Sequence, residues 1–422
     1  MEIRNVLVIA YYFPPMGLSG VQRTLKFVKY LPDYNWNPIV LTHTPTTYYA
    51  FDDTLLNEIE SKNIQIYRTT SKKKINKSRF ITRKFPSYFT QKLGRAILQT
   101  IYIPDSKVRW KENAIDLGSK IIKENEISVI YATAPPFTDF LIAKELSKKF
   151  EIPFIVDYRD NWVDNPFHFY PTPFHKLKSI ELETDILKHT KRAIVISRYN
   201  KELLIKRYKL ISHNDISIIP HGYDDDDFSD YEKVKPNPNK FTITHSGVFQ
   251  DDRTPKYFFK AISNLLKSNN SIESKLELRF VGVMRKSHQK LIKKYKLDNF
   301  VTCTGYLSHI DSVKNILESD VLWLMQNDNI RTPGKLYEYF GARKPMLVCV
   351  PDGFIRSLAL ESKAAIATDP QDVLQIEKAI TTFFKLWEKK ILPAPSDEFV
   401  TQFNRKNLTS DLARELALAL DV

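Results

Sequence analysis

Cysteine is nearly absent: Cys303 and Cys349 are the two in 422 residues, too few for a disulfide framework and without metal-ligand spacing. Both fall in apolar, strand-like runs and are expected in the core. No apolar run approaches the roughly twenty residues a bilayer-crossing helix needs. The opening MEIRNVLVIAYYF enters a strand with no small-residue cleavage site, so the expected location is cytoplasmic, or peripheral on the inner face of the cell membrane. The three-glycine dinucleotide fingerprint is missing too. No acidic residue closes the second strand, NPIVLTH, where a nicotinamide enzyme needs one for ribose, and that class is disfavoured.

Acid is missing locally. From Ser61 to Pro104 there is neither Asp nor Glu, while Lys62, Arg68, Lys72, Lys73, Lys74, Lys77, Arg79, Arg83, Lys84, Lys92 and Arg95 carry positive charge. These 11 cations supply most of the net charge of +14. Aromatic and aliphatic residues interleave with them in RFITRKFPSYFTQKLGRAILQTIYIP, so the stretch reads either as a solvated basic insertion or as a surface resting on anionic lipid headgroups. No nucleic-acid reading motif accompanies the charge, and nucleic acid is not expected as a partner.

The chain holds 43% hydrophobic and 27% charged residues, an ordinary globular composition with length for two cores. Short β-rich runs alternate with helix-length amphipathic segments, the pattern of parallel sheets covered by helices on both faces. The first series is NVLVIAYY, NPIVLTH, IQIYRT, SVIYATA, PFIVDYR, RAIVIS and ISIIPHG; the second is KFTITHSGVF, LELRFVGV, FVTCTGY, VLWLMQN, PMLVCV and AAIAT. Two facing Rossmann-like domains are therefore expected, residues 1–222 and 240–396. A linker joins them at 223–239, and a C-terminal helix within 397–422 crosses back to the first domain.

Ligands of such sheets bind beyond the carboxyl ends of the strands. After the first strand, Gly17 and Gly20 precede a helix and would let backbone N–H groups approach an anionic oxygen. In the second domain Gly247 marks a strand exit, Arg253 precedes a helix opened by Pro255, and NIRTPGKLYEYFGARKPML places Lys335 in the first turn of another. With Thr332 as N-cap and Pro333 as first helical residue, that turn is already electropositive, and a lysine there awaits an anion. Two cations converging on a helix start suit a diphosphate leaving group. Glu338, three residues on, shares a helix face with Lys335 and can accept from ribose hydroxyls.

These segments, with IYATAPPFTDFLIAKEL, PFIVDYRDNW, AIVISRYNKELL, IIPHGYDDDDF and VTCTGYLSH, resemble the GT-B glycosyltransferases, specifically the retaining, nucleotide-sugar-dependent enzymes of family four. The resemblance implies an α/β GT-B fold. It also implies sugar transfer from a UDP- or GDP-linked donor to a saccharide or lipid-linked acceptor, as in surface polysaccharide or glycolipid biosynthesis, with no cofactor or metal. Arg253 and Lys335 would bind the diphosphate and Glu338 the ribose. Gly247, Thr332, Gly334 and Leu336 would border the donor nucleotide, and Tyr306 would lie near the base. Gly17, Gly20, Arg23, Asp157, Arg159 and Asp160 would line the acceptor side, with Arg23 toward an acceptor phosphate and Asp160 positioning the acceptor hydroxyl.

Two departures stand out. The family's first glutamate is replaced by Ile330, with Asp328 and Asn329 close by as substitutes, and Val248 follows Gly247 where the family has a basic residue. The run Asp224 to Asp227 is expected to cap a turn rather than hold a metal, and His221 and His245 stand at strand ends either against ligand or as structural residues. A nucleotide-sugar epimerase of the same architecture and a lipid- or nucleic-acid-binding protein without catalysis are the competing readings.

Overall fold

The computed structural model describes residues 2–420 except 45–46, 61, 70–80, 83–87, 167, 230–232, 250–251 and 269. The chain forms two units, Met1–His221 with Arg405–Val422, and Gly222–Asn404.

The first unit is built on seven parallel strands: β1 (Arg4–Ile9), β2 (Trp36–His43), β3 (Gln65–Thr69), β4 (Ile127–Ala134), β5 (Phe154–Tyr158), β6 (Arg192–Val195) and β7 (Ile216–Ile218). Their order is β3-β2-β1-β4-β5-β6-β7, with Leu7 opposite Ile39 and Val8 opposite Val40. Helices cover both faces, so Val6, Leu7, Val8 and Ile9 are all buried, which is why the run is continuously apolar instead of alternating.

The second unit has six: β8 (Phe241–Ser246), β9 (Leu276–Val281), β10 (Val301–Gly305), β11 (Val321–Met325), β12 (Met346–Cys349) and β13 (Ala365–Thr368), in the order β10-β9-β8-β11-β12-β13. The connection reverses direction between β8 and β11, leaving a crevice at their carboxyl ends where such sheets take ligands. Cys349 is buried, but Cys303 lies on the edge strand β10 and is exposed, against the expectation of a core position.

The last helix, Arg405–Leu418, belongs to the first unit. Leu408, Leu412 and Leu416 recur at four-residue spacing and pack with Val6, Val8, Leu25 and Val28 on one face of the sheet. Each such fully buried leucine contributes about 1.5–3 kcal/mol of burial. The short helix Asp397–Thr401 stays with the second unit, where Phe399, Val400 and Phe403 join Tyr337 and Phe340. At the other boundary Tyr223 and Phe228 are core residues of the second unit, so the chain is already packed there directly after His221.

Candidate functional site

The last residues of β8 set the geometry of the second unit's crevice. His245 is buried, and its ring stacks on Phe249 at 4.3 Å between centroids and 10° between planes. Its Nδ1 lies 3.0 Å from the carbonyl oxygen of Trp323 on β11; that nitrogen is the donor, leaving Nε2 as an acceptor aimed at the crevice. Burial and the nearby Lys335 hold the ring well below its usual pKa, so it is neutral. Next, Ser246 donates its N–H to the Tyr339 hydroxyl at 2.9 Å, which ties the Gly334–Gly341 helix to the strand end.

Gly247 then turns the chain with φ +119°, a conformation that L side chains rarely adopt. Its N–H donates to Val281 at 2.7 Å, and Gly282 donates to Gly305 at 2.9 Å, so the ends of β8, β9 and β10 are joined by backbone alone. A Cβ on Gly282 would fall 2.8 Å from the Gly247 oxygen. A Cβ on Gly247 would strike the Lys335 ammonium and come within 3.0 Å of its Cε. The lysine side chain therefore lies directly over the glycine turn. Gly282 was not singled out in the sequence; its sign is the glycine closing LELRFVG, parallel to Gly247 closing the preceding strand.

Lys335 sits in the first turn of the Gly334–Gly341 helix. The expected cap differs: the helix begins at Gly334, Pro333 is the cap residue, no side chain caps it, and no acidic residue lies in its first turn. Thr332 precedes the cap and is buried, so its hydroxyl does not close the helix start. A Cβ on Gly334 would meet nothing within 4 Å, which marks this side of the helix start as open space. Leu336 is buried among Leu322, Leu324 and Val348, and its N–H donates to Pro333; it presents no side chain to the crevice.

The Lys335 ammonium stands 3.5 Å from Nε2 of His245, and among the described residues no carboxylate pairs with it. Its pKa is lowered to about 7, first by burial and then by the Arg253 charge, against a smaller opposing effect of Glu338. Arg253 also acts on His245. The structure thus brings Gly247, Arg253, Lys335 and Glu338 into one electrostatic neighbourhood that carries more positive than negative charge. Tyr306 is exposed just beyond the end of β10, following Gly305.

Where the family's first glutamate is absent, the loop is organised otherwise. The Asp328 carboxylate accepts from the N–H groups of Ile330 at 3.1 Å and Arg331 at 2.9 Å, and from the Arg331 guanidinium at 2.7 and 3.0 Å. Both oxygens are committed to this turn, so Asp328 does not substitute for the missing carboxylate. Asn329 donates to Asp352 at 3.3 Å.

In the first unit most of the expected acceptor residues are engaged in holding the fold. Arg23 is buried and donates to Asp157 at 2.8 and 2.9 Å, to the Pro220 carbonyl at 2.7 Å and to that of Ile219 at 2.9 Å. With four of its five donors spent, it does not bind an acceptor phosphate. Asp157 is equally buried and also accepts from the Tyr131 hydroxyl at 2.6 Å; the pair locks the sheet to the β7 exit. Arg159 donates to the carbonyls of Gly20 and Pro135, fixing the Gly17–Gly20 turn, while Gly17 itself donates to Ala50 at 2.9 Å. Asp160, half-buried at the end of β5, is held between anchored neighbours: Asn161 accepts from Asn200 at 3.0 Å and Trp162 stacks on Phe137 at 4.7 Å. Asp139 went unrecognised in the sequence. It is buried in the first turn of the Thr138–Phe150 helix, where Oδ2 accepts from Tyr11 N–H at 2.9 Å while Oδ1 finds no hydrogen-bond partner among the described residues.

His221 is held neutral by burial and the charges of Arg23, Arg405 and Arg159. The aspartate run caps a turn as expected: Asp224 accepts from Asp226 N–H at 3.2 Å at the head of the Asp225–Phe228 turn, and Asp227 pairs with His309 at 2.9 Å.

Two family models match the sequence, "Glycosyltransferase Family 4" over residues 78–227 and "Glycosyl transferases group 1" over residues 226–391. The chain belongs to the family-four-like GT-B glycosyltransferases. Solved structures resemble this glycosyltransferase along its whole length. HepE of Anabaena in complex with UDP and glucose superposes with a TM-score of 0.66 at 12% identity, covering 98% of this chain and 99% of its own. A glycosyltransferase from Rickettsia africae gives 0.64 at 16% identity, covering 99% of each chain. Sucrose-phosphate synthase from Thermosynechococcus elongatus gives 0.61 at 12%, covering 99% of this chain and 97% of its own. At such identities the likeness establishes the GT-B fold of this glycosyltransferase. No protein of curated function matches its sequence.

Proposed function

We propose that this glycosyltransferase takes a UDP-linked sugar in the second unit's crevice and transfers it, with retention, to a saccharide or lipid-linked acceptor bound by the first unit. The observation that carries the donor reading is Lys335: a lysine at an uncapped helix start, over a glycine turn, with a neutral histidine as its neighbour. A diphosphate supplies the missing counter-charge, and Arg253 adds the second cation. The nucleotide is read as UDP because HepE was solved with UDP and with UDP-glucose. Glu338 accepts from the ribose. Negative charge grows on the departing diphosphate, so donors already fixed at that point lower the barrier without a metal. A phosphate oxygen of the leaving group takes the acceptor proton, and Asp160 positions the acceptor hydroxyl.

The deciding experiment incubates the purified enzyme with UDP-glucose and other UDP-sugars, with and without saccharide and lipid-diphosphate acceptors and with EDTA present, and follows sugar and nucleotide by NMR. Release of UDP, with the donor's anomeric configuration kept in the product, is the expected result. Conversion of the donor to an epimer without nucleotide release would instead assign an epimerase, and dependence on added magnesium would overturn the metal-free reading.

A further inference from the structure

An amphipathic helix of a globular unit ordinarily buries its apolar stripe. The helix Tyr88–Ile101 leaves its stripe in water: Leu93, Ile97, Leu98 and Ile101 are 52%, 51%, 43% and 62% exposed. Leu93, Ile97 and Ile101 follow at four-residue spacing and form one row. A second exposed set stands on a different part of the unit, Phe169 at 49%, with Phe174 and Leu177 at 65% each in the opening turns of the Pro173–His189 helix. The two sets are stitched together. Phe169 donates its N–H to Gln99 Oε1 at 2.9 Å, and Nε2 of His175 lies 3.1 Å from the Thr100 carbonyl oxygen.

Charge follows the same outline. No Asp or Glu occurs between Ser61 and Pro104 or between Asn165 and Ile180; Lys92, Arg95 and Lys176 flank the apolar residues, and Lys178 is paired with Glu181 at 2.8 Å where the second acid-free stretch ends. A large apolar patch rimmed by one sign of charge marks an interaction site. A second copy of this chain would bring the same cations against them, whereas a bilayer with anionic headgroups complements both the rim and the apolar centre.

We infer that Leu93, Ile97, Leu98 and Ile101 together with Phe169, Phe174 and Leu177 form a composite face that docks the first unit on an anionic lipid bilayer. This deepens the lipid-linked acceptor reading of the proposed function, since docking would bring the acceptor unit to the membrane where such an acceptor resides. The cations at Lys72, Lys73, Lys74, Lys77, Arg79, Arg83 and Lys84 lie outside the described residues, and the face is defined without them.

The test is flotation of the full-length protein with vesicles of phosphatidylcholine alone and of equal parts phosphatidylcholine and phosphatidylglycerol. Wild type should float with the anionic vesicles only. Ile97→Glu combined with Phe174→Glu should weaken this about tenfold or more, and Leu93→Asn with Ile101→Asn should do so in a second surface background. UDP binding and melting temperature should stay unchanged in both. Equal flotation on neutral vesicles, none on anionic ones, or undiminished flotation of both variants would overturn the inference. So would sedimentation showing a dimer that the variants dissolve, which would make a second copy the occupant. Because UDP binding is read on the same preparations, loss of the donor reading and loss of the docking face remain separable.

Discussion

Nε2 of His245 accepts from the ammonium of Lys335 across 3.5 Å, while Nδ1 of the same ring donates to the Trp323 carbonyl at 3.0 Å. The backbone contact fixes the ring as a neutral acceptor toward Lys335. A cation held by a neutral partner keeps its charge for a ligand; a carboxylate in that place would have neutralised it and repelled the diphosphate.

Holding that cation ready weakens the fold. Lys335 titrates at about 7 in the folded protein and at its ordinary 10.5 when unfolded, so between those values the unfolded chain binds the additional proton and stability rises with pH. The destabilisation is complete below pH 7 and fades toward 10.5. Lys335→Met is therefore expected to raise the melting temperature most at about pH 6 and least at about pH 10, while removing nucleotide binding. Thermal melts at the two pH values check it.

Ligand affinity should run the other way. A bound diphosphate favours the ammonium and raises the Lys335 pKa, so UDP takes up a proton when it binds above pH 7. Affinity is expected to be highest near pH 7, to fall by up to about tenfold per unit above it as Lys335 loses its proton, and to weaken below about pH 6 as the terminal phosphate of UDP is protonated. Lys335→Arg, which does not titrate in this range, should flatten the alkaline limb. Calorimetry in buffers of different ionisation enthalpy measures the proton directly.

Gly247→Ala meets both obstacles at once: φ +119° and the lysine side chain where its Cβ would stand. The backbone penalty is about 1–2 kcal/mol, and the lysine must move. A folded protein with UDP affinity reduced at least tenfold is the expected outcome, compared with Gly334→Ala, whose Cβ meets open space. Circular dichroism and calorimetry together distinguish a lost site from a lost fold.

Arg23 and Asp157 belong to stability. Removing one partner leaves a buried charge unpaired, and Arg23→Ala or Asp157→Ala is expected to cost about 3–5 kcal/mol. Arg23→Met with Asp157→Asn should recover part of that loss, since neither side chain is then charged. Urea denaturation gives the stabilities. A raised acceptor KM in Arg23→Lys at unchanged stability would contradict the structural assignment.

Much of the fold was legible because the central strands of the two sheets are buried on both faces and so read as uninterrupted apolar runs; all 13 predicted runs contain strands. The donor-side cations were legible for a related reason, as lysine and arginine at strand-to-helix junctions are locally anomalous. What could not be read was which charged residues are spent inside the protein. Arg23 and Asp157 lie 134 positions apart, and Asp328 is used up by a turn that reaches only three positions along the chain, to Arg331. Likewise Cys303 looked like core because its run is apolar, but an edge strand exposes residues that a central one would bury. Pairing across such distances depends on topology, and it decides whether a charge faces ligand or core.

The most direct measurement is calorimetric titration of UDP and GDP, with their common sugar conjugates, into wild type, Lys335→Ala and Glu338→Ala. A hydrogen bond to a charged group contributes about 1.5–3 kcal/mol, so the account predicts binding of UDP by wild type and a loss of roughly ten- to a hundredfold in each variant. Binding that is unchanged in Lys335→Ala, or no nucleotide binding by the folded wild type, would contradict it.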